Sequence, residues 1–142
     1  MKKYFIILLL VVLIPIKAYA LIEVDITRGN LNPLPLAVSP LSIDDQSRKS
    51  FEKILKKENI GSEISSIVEN NLRTSGLFNP LSKDAFLQAP DIANLKPRFE
   101  DWNLIKAQAL ITGKVTYVDE KLRVEFRLWD ILAAKEMMAL AF

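Results

Sequence analysis

The sequence predicts an α/β fold of the α+β kind, in which a mixed sheet of about five strands carries two main helices. Three observations predict it. Segments with strand periodicity stand near both ends of the chain, a strongly amphipathic helix lies between them, and a hairpin is followed by a further strand. This order of elements is typical of a single sheet layered with helices.

The first twenty residues have the three-part pattern of a secretory signal peptide. Lys2 and Lys3 supply the positive region, Tyr4 to Ile14 form an apolar run, and Ala18 and Ala20 frame a small-x-small cleavage site. A membrane-spanning helix needs about 20 apolar residues, and this run is about half as long. We therefore predict cleavage after Ala20 and export to a periplasm, leaving one α/β domain in residues 21–142.

Charge and cysteine usage narrow the function of the exported part. Without the three lysines of the leader, the 19 basic residues fall to 16 against 17 acidic ones, a net charge of −1. The basic residues are not interleaved with aromatic ones, so nucleic acid is not an expected partner. Because the chain has no cysteine, packing and not disulfides must stabilise it, which fits a bacterial periplasm.

Two strand-like segments open the exported part. Leu21 to Thr27 alternates apolar and polar residues, which predicts a half-buried or edge strand. Leu34 to Leu41 is apolar and contains two prolines. Its centre, Leu36 to Val38, is typical of a buried strand that is entered and left at prolines.

A lysine-rich segment, Ser47 to Asn59, has Phe51, Ile54 and Leu55 at helical spacing. Three apolar residues make a narrow stripe. The spacing therefore favours a solvated surface helix with one docking face over a helix that lies on a membrane.

The clearest helix begins near Ser62, which we expect to be its N-cap, and ends at Gly76, which we expect to be left-handed. In that type of ending Leu77 folds back onto Leu72, and the chain leaves in an extended segment. The apolar stripe of this helix consists of Ile64, Ile67, Val68 and Leu72. We expect a structural helix exit formed by Leu72, Gly76, Leu77, Phe78 and Pro80.

The remaining elements are a helix over about Pro97 to Ala107 and a three-strand meander. The strands are Leu110 to Val118, Leu122 to Asp130 and about Lys135 to Phe142, with a hairpin turn at residues 119–121. In the second strand alternation predicts one face in the core and the other mostly in water.

The residue types exclude several kinds of active site. With no histidine and no cysteine, neither a Ser-His-Asp triad nor a zinc site built on those ligands can form. A Ser-Lys pair, a carboxylate pair and an all-oxygen metal site remain open. Serines 62, 65 and 66 are better explained by helix capping, and Asp44-Asp45 and Asp119-Glu120 by solvated turns. We expect no catalytic, metal or cofactor residues, no small-molecule substrate, and a binding protein in place of an enzyme.

Several segments resemble the TolB family, in the family's order and spacing. Residues 22–27 with Gly29 precede Pro35 to Val38, and a helix leads into an exit of the form L-x-x-S-G-x-F-x-P-L within Gly61 to Leu81. The strands Ala109 to Val115 and Arg127 to Asp130 also correspond. The resemblance covers nearly all of the chain after the leader.

Two features depart from the family pattern. Residues 44–60 are longer and more basic than that loop in the family, and the six-bladed β-propeller of TolB proteins is absent. The sequence stops within an apolar strand, which predicts that it is part of something longer.

The resemblance implies a periplasmic adaptor of the Tol-Pal system. Such proteins link the inner-membrane protein TolA to the peptidoglycan-associated lipoprotein Pal, and support outer-membrane integrity and invagination at cell division. In the family the mature N-terminal segment contacts TolA and the propeller contacts Pal. Carried onto this chain, the TolA-binding residues are Leu21, Ile22, Glu23, Val24, Asp25, Ile26, Thr27 and Arg28. Membranes would be reached only through protein partners.

The residue pattern allows two roles for the same N-terminal segment. Its alternation suits a strand that adds to a partner's sheet, and equally the first strand of the domain's own sheet. The family resemblance favours the first role. Three rival interpretations of the whole chain stay open: another periplasmic binding or assembly module of similar fold, such as a cell-wall synthase activator; an enzyme using carboxylates or a Ser-Lys pair; and a truncated remnant without function.

Overall fold

A mixed six-stranded sheet organises residues 32–142, which are the residues that the computed structural model describes, the side chains of residues 93 and 95 excepted. The strands are β1 (Leu34–Val38), β2 (Ser42–Ile43), β3 (Phe78–Pro80), β4 (Ala109–Val118), β5 (Lys121–Asp130) and β6 (Lys135–Ala141). Their order is β3-β1-β4-β5-β6, with β2 pairing with β4 beyond the end of β1. Pairs among β1 to β4 are parallel, and the β4-β5 and β5-β6 pairs are antiparallel. The predicted α/β class is confirmed.

Helices cover the two faces of the sheet unequally. They are α1 (Asp45–Leu55), α2 (Ile60–Thr74), α3 (Pro90–Leu95) and α4 (Phe99–Leu104), and a 3₁₀ turn spans Lys83–Ala85. The buried Leu36 packs with α2, while its neighbour Ala37 packs with Trp102 of α4. Successive residues of a strand face opposite sides, so the long and the short helices lie on opposite faces. Within residues 32–142 no helix is both long and apolar enough to cross a bilayer.

A one-residue insertion separates β1 from β2 around Pro40, where the sequence predicted that the buried strand ends, and the short β2 was not predicted. Val38 pairs with Ile111 and Ser42 with Lys114, so three residues stand opposite two. Pro40 explains the interruption because it has no N–H to continue the ladder. The buried Leu41 lies against two glycines, with its carbonyl oxygen 2.1 Å from where a Cβ on Gly61 would be.

Helix α1 begins earlier and ends earlier than the predicted span of residues 47–59. The carboxylate of Asp44 accepts a hydrogen bond from the Ser47 N–H at 2.9 Å and so caps the helix. The interpretation of Asp44 as part of a solvated turn was therefore wrong. Lys56, with φ of 51°, ends the helix in a left-handed conformation. Phe51 is its docking residue and is buried.

Helix α2 starts two residues before the predicted cap. Its N-cap is Asn59, whose side chain makes no capping hydrogen bond, and Ser62 lies within the first turn. The tertiary contact of Gly61 with Leu41 accounts for the earlier start, because the Leu41 N–H donates to the Gly61 carbonyl at 3.2 Å.

The predicted helix over about residues 97–107 corresponds to α4 alone, and α3, which precedes the buried Pro97, was not predicted. Helix α4 ends early because Lys106 adopts φ of 64°. The Ala107 N–H then donates to the Trp102 carbonyl and the Lys106 N–H to the Asn103 carbonyl, the pair of bonds that defines a Schellman ending. A lysine at the left-handed position gives no sequence signal, so this ending was missed.

Strands β4 and β5 form the predicted hairpin with a shorter turn. Asp119 and Glu120 have φ of 50° and 62°, a two-residue turn of the type that matches the strand twist, and Lys121 already pairs with Val118. The predicted wet face of β5 is only partly wet. Trp129 lies on that face yet is buried, and its indole N–H donates to the Thr112 hydroxyl at 2.9 Å.

Candidate protein-binding site

The predicted TolA-binding residues, Leu21 to Arg28, lie outside the described residues, as do the cleavage residues Ala18 and Ala20. The described chain starts with Asn32 and Pro33, which are both exposed and lead directly into β1. The structure therefore brings none of the predicted binding residues into a described contact.

The predicted helix exit is described in full, and Gly76 is left-handed as predicted, with φ of 74°. Its N–H donates to the Arg73 carbonyl at 3.1 Å. The Ser75 hydroxyl completes the ending, because it donates to the Leu72 carbonyl at 2.6 Å and accepts the Leu77 N–H at 3.3 Å. A serine hydroxyl thus joins the two backbone groups that such an ending must satisfy.

The exit fixes the start of β3 against β1. The Leu77 carbonyl accepts the Leu34 N–H at 2.9 Å, and Leu34 pairs in register with Phe78. Phe78 packs against the same buried cluster as Leu72, the position that the sequence assigned to Leu77. Pro80 is buried and ends the strand. These residues join the end of α2 to the sheet.

An apolar groove that sequence reasoning missed lies between α2 and the β5-β6 hairpin. Its volume is about 250 Å³. It is lined by Val68, Ile111, Phe126, Leu128, Met138 and Leu140, with Arg127 as its one charged neighbour. Every residue of β6 is exposed, and among the described strands only β5 pairs with β6. The apolar residues of β6 were the available signal, but the sequence analysis interpreted them only as the third strand of the meander.

The structure does place a lysine beside serines, as a Ser-Lys active site would require. Lys83 Nζ lies 2.9 Å from Ser66 Oγ and 3.4 Å from Ser65 Oγ. It also lies 3.4 Å from a carboxylate oxygen of Glu69. Both serine hydroxyls donate to the Ser62 carbonyl, at 2.9 and 2.8 Å. Nucleophile activation needs a neutral amine as base, whereas here the amine is paired with a carboxylate and donates to both hydroxyls.

Three carboxylates, those of Asp44, Asp45 and Asp91, line one pocket of about 340 Å³ together with Lys114. Asp44 caps α1 and lies 3.6 Å from Lys114 Nζ. Hydrogen bonding from the Ser47 N–H lowers the pKa of Asp44, with partial burial opposing it and the Ser47 hydroxyl and Lys114 assisting. Asp119 and Glu120 lie in the hairpin turn and are exposed. No group of three or more acidic, histidine or cysteine residues that could hold a metal ion occurs within residues 32–142.

Comparison with known proteins decides the family. Residues 22–137 match the TolB amino-terminal domain. The chain belongs to the TolB amino-terminal domain family. It is 81% identical over 134 residues to the Tol-Pal system protein TolB of Pelagibacter ubique (strain HTCC1062). The match covers 94% of this chain and 30% of that relative, so the chain spans less than a third of the relative's length.

Solved structures share the fold at low sequence identity. TolB from Acinetobacter baumannii superposes with a TM-score of 0.56 at 18% identity, over 78% of this chain and 23% of that one. The LpoB C-terminal domain from Salmonella enterica superposes with a TM-score of 0.54 at 11% identity, over 80% and 84%. The same layout of strands and helices therefore occurs in proteins of more than one name.

Proposed function

We propose that this chain is the TolA-binding part of a periplasmic Tol-Pal adaptor, and that it acts by binding and not by catalysis. The observation that carries the proposal is the TolB amino-terminal match over residues 22–137, together with 81% identity to a Tol-Pal system protein. Linkage to Pal, and the roles in outer-membrane integrity and in invagination at division, belong to the longer proteins of the family and are part of the proposal.

The proposed contact with TolA is made by Leu21 to Arg28 as an added strand. Three features support it. Ile22, Val24 and Ile26 alternate with polar residues, so one face of the strand can be buried while backbone groups pair with the partner. The family match begins at residue 22, so it includes this segment and leaves out the predicted leader. The segment enters the domain through the exposed Asn32 and Pro33.

A non-catalytic role agrees with the polar groups of the described domain. The Lys83 amine is held by Glu69 and donates to Ser65 and Ser66, which ties the 3₁₀ turn to α2. Asp44 serves as a helix cap. Lys83 and Asp44 thus each have a structural use in the fold.

The decisive experiment compares two forms of the chain, one starting at Leu21 and one starting at Pro33, for binding to purified TolA by isothermal titration calorimetry. The deletion ends one residue before β1, so the sheet should keep its strands. We expect binding by the longer form and none by the shorter form, with equal melting temperatures for both. Undiminished binding by the shorter form would refute the assignment.

A matched pair of variants tests whether one strand face carries the contact. Replacing Ile22, Val24 and Ile26 by serine should abolish binding. Replacing Glu23 by Gln, Asp25 by Asn and Thr27 by Ser should preserve it, because backbone pairing does not depend on those side chains. If the polar triple variant lost affinity and the apolar one did not, the added-strand geometry would be wrong.

A further inference from the structure

The end of α1 is exposed and carries two exposed aliphatic side chains. All residues from Glu52 to Asn59 are exposed, although they lie between the buried Phe51 and the buried Ile60. Ile54 and Leu55 keep 54% and 50% of their surface in contact with solvent. Neither takes part in a hydrophobic cluster of the described core.

Basic residues surround these two side chains. The described chain carries 15 basic and 15 acidic residues and is neutral overall. Five of the 15 basic residues lie within residues 48–57, namely Arg48, Lys49, Lys53, Lys56 and Lys57. Only one acidic residue, Glu52, falls in the same ten positions. Lys57 pairs with Glu63 at the start of α2. The end of α1 is therefore the most strongly basic surface segment of the described chain.

The segment is held in place by the rest of the domain. Phe51 packs edge-on against Tyr117, with ring centroids 5.9 Å apart, and Asp44 caps the other end of the helix. The Ser47 hydroxyl accepts the Tyr117 N–H of β4 at 2.8 Å. Ile54, Leu55 and Lys53 are thus presented on a fixed helix, which lowers the entropy cost of binding.

We propose that the segment Arg48 to Lys57, which comprises most of α1 and the two residues after it, docks on an anionic lipid surface, in contrast to the solvated helix that the apolar spacing alone favoured. Ile54 and Leu55 enter the interface between headgroups and acyl chains, and the surrounding cations contact lipid phosphates. Interfacial helices combine these two features, and long lysine side chains can keep their charge at headgroup level while the aliphatic residues are buried. Ile54 and Leu55 are exposed and do not line the pocket that Arg48 borders with Asn59. An exposed aliphatic pair outside a groove suits a broad surface better than a peptide. This contact is separate from the proposed binding of TolA.

The test is sedimentation with vesicles, using the chain that starts at Leu21 so that the apolar leader cannot enter the bilayer. All described strands and helices lie within residues 34–141, so we expect the chain without residues 1–20 to keep the described fold. We expect binding to vesicles containing phosphatidylglycerol, weak binding to pure phosphatidylcholine, and weakening as salt is added. Each Lys→Gln change at Lys53 or Lys56 should weaken partitioning roughly fivefold.

The double variant Ile54→Ser with Leu55→Ser should reduce partitioning more than either lysine change. Matched controls lie elsewhere on the surface: Leu104→Ser replaces an aliphatic residue that is 71% exposed, and Lys121→Gln removes an exposed lysine. Both controls should bind as the parent does, and circular dichroism should show the same fold throughout. Equal binding to neutral vesicles, no binding to anionic ones, or a variant series that alters affinity for a protein partner alone would each overturn the proposal.

Discussion

Strands β4 and β6 belong to one sheet and have similar apolar content, yet their environments are opposite. β4 has a strand on each side and helices on both faces, and its Leu110, Thr112 and Val115 have no exposed surface. β6 pairs only with β5 among the described strands, and each of its residues is exposed. The difference teaches that the apolar pattern of a strand predicts which side chains share a face, but not whether anything covers that face.

The largest expected contrast comes from shortening an aliphatic side chain in each strand. Leu110→Ala in β4 should lower the free energy of unfolding by about 3 kcal/mol, because it leaves a cavity in a packed core. Leu140→Ala in β6 should cost less than about 1 kcal/mol, since the parent side chain is half exposed. Urea denaturation measures both. Equal losses would show that the β6 face is covered in solution.

Enlarging a side chain should also destabilise β4 more than β6. A Cβ on Gly113 of β4 would lie 2.3 Å from the Glu125 carbonyl oxygen and 3.1 Å from Leu41 Cγ. Gly113→Ala should therefore cost about 2 kcal/mol. Ala139→Val on the exposed β6 should change stability by less than about 0.5 kcal/mol. A neutral Gly113→Ala would mean that the β4-β5 pair can shift apart without loss.

Gly76 differs from Gly113 in the reason why a glycine is needed. At Gly76 the reason is the backbone conformation, whereas at Gly113 it is the lack of space for a side chain. No atom lies within 4 Å of a Cβ added at Gly76, but the φ of 74° is unfavourable for alanine. For Gly76→Ala we expect a loss of about 1 kcal/mol, smaller than at Gly113, and a smaller loss for Gly76→Asn. The melting curve measures both changes. An unchanged midpoint for Gly76→Ala would show that a glycine at the left-handed position does not stabilise the end of α2.

The smallest expected effect concerns one ion pair at each strand. Asp44 meets Lys114 of β4 at 3.6 Å, and Glu136 of β6 meets Arg127 at 3.7 Å. Asp44→Asn should cost a few tenths of a kcal/mol at pH 7, because asparagine also caps helices. Glu136→Gln should cost no more, since exposed pairs contribute little.

The effect at Asp44 should depend on pH. Its pKa is lowered in the folded state from the ordinary value of 3.8. The carboxylate therefore stabilises the fold above that value, and this contribution is lost as the pH falls through the lowered pKa. Urea midpoints of the parent and of Asp44→Asn should converge as the pH falls below 3.8 and through the lowered pKa of Asp44. A constant difference from pH 7 to pH 2 would contradict the role of the charged cap.

Sequence reasoning succeeded where the signal is local. The alternation along Leu122 to Asp130 predicted β5, and Gly76 predicted the ending of α2, because side-chain period and left-handed preference are properties of short segments. It failed where a distant contact decides the outcome. The Leu41 N–H donates to the carbonyl of Gly61, which therefore lies in the first turn of α2, ahead of the predicted cap at Ser62. The indole N–H of Trp129 donates to the Thr112 hydroxyl on the neighbouring strand.

The sequence by itself determined the α/β class, the family, and the exclusion of active sites and zinc sites built on histidine or cysteine. It could do so because composition and periodicity are properties of the sequence alone. Only the tertiary structure decided which apolar surfaces are covered. It buried Phe51 and left Ile54 and Leu55 exposed on the same helix, and it placed Lys83 beside Ser66 with Glu69 as its counter-ion. The physical reason is that burial and charge pairing depend on which distant residues meet, and that is fixed when the layers pack together.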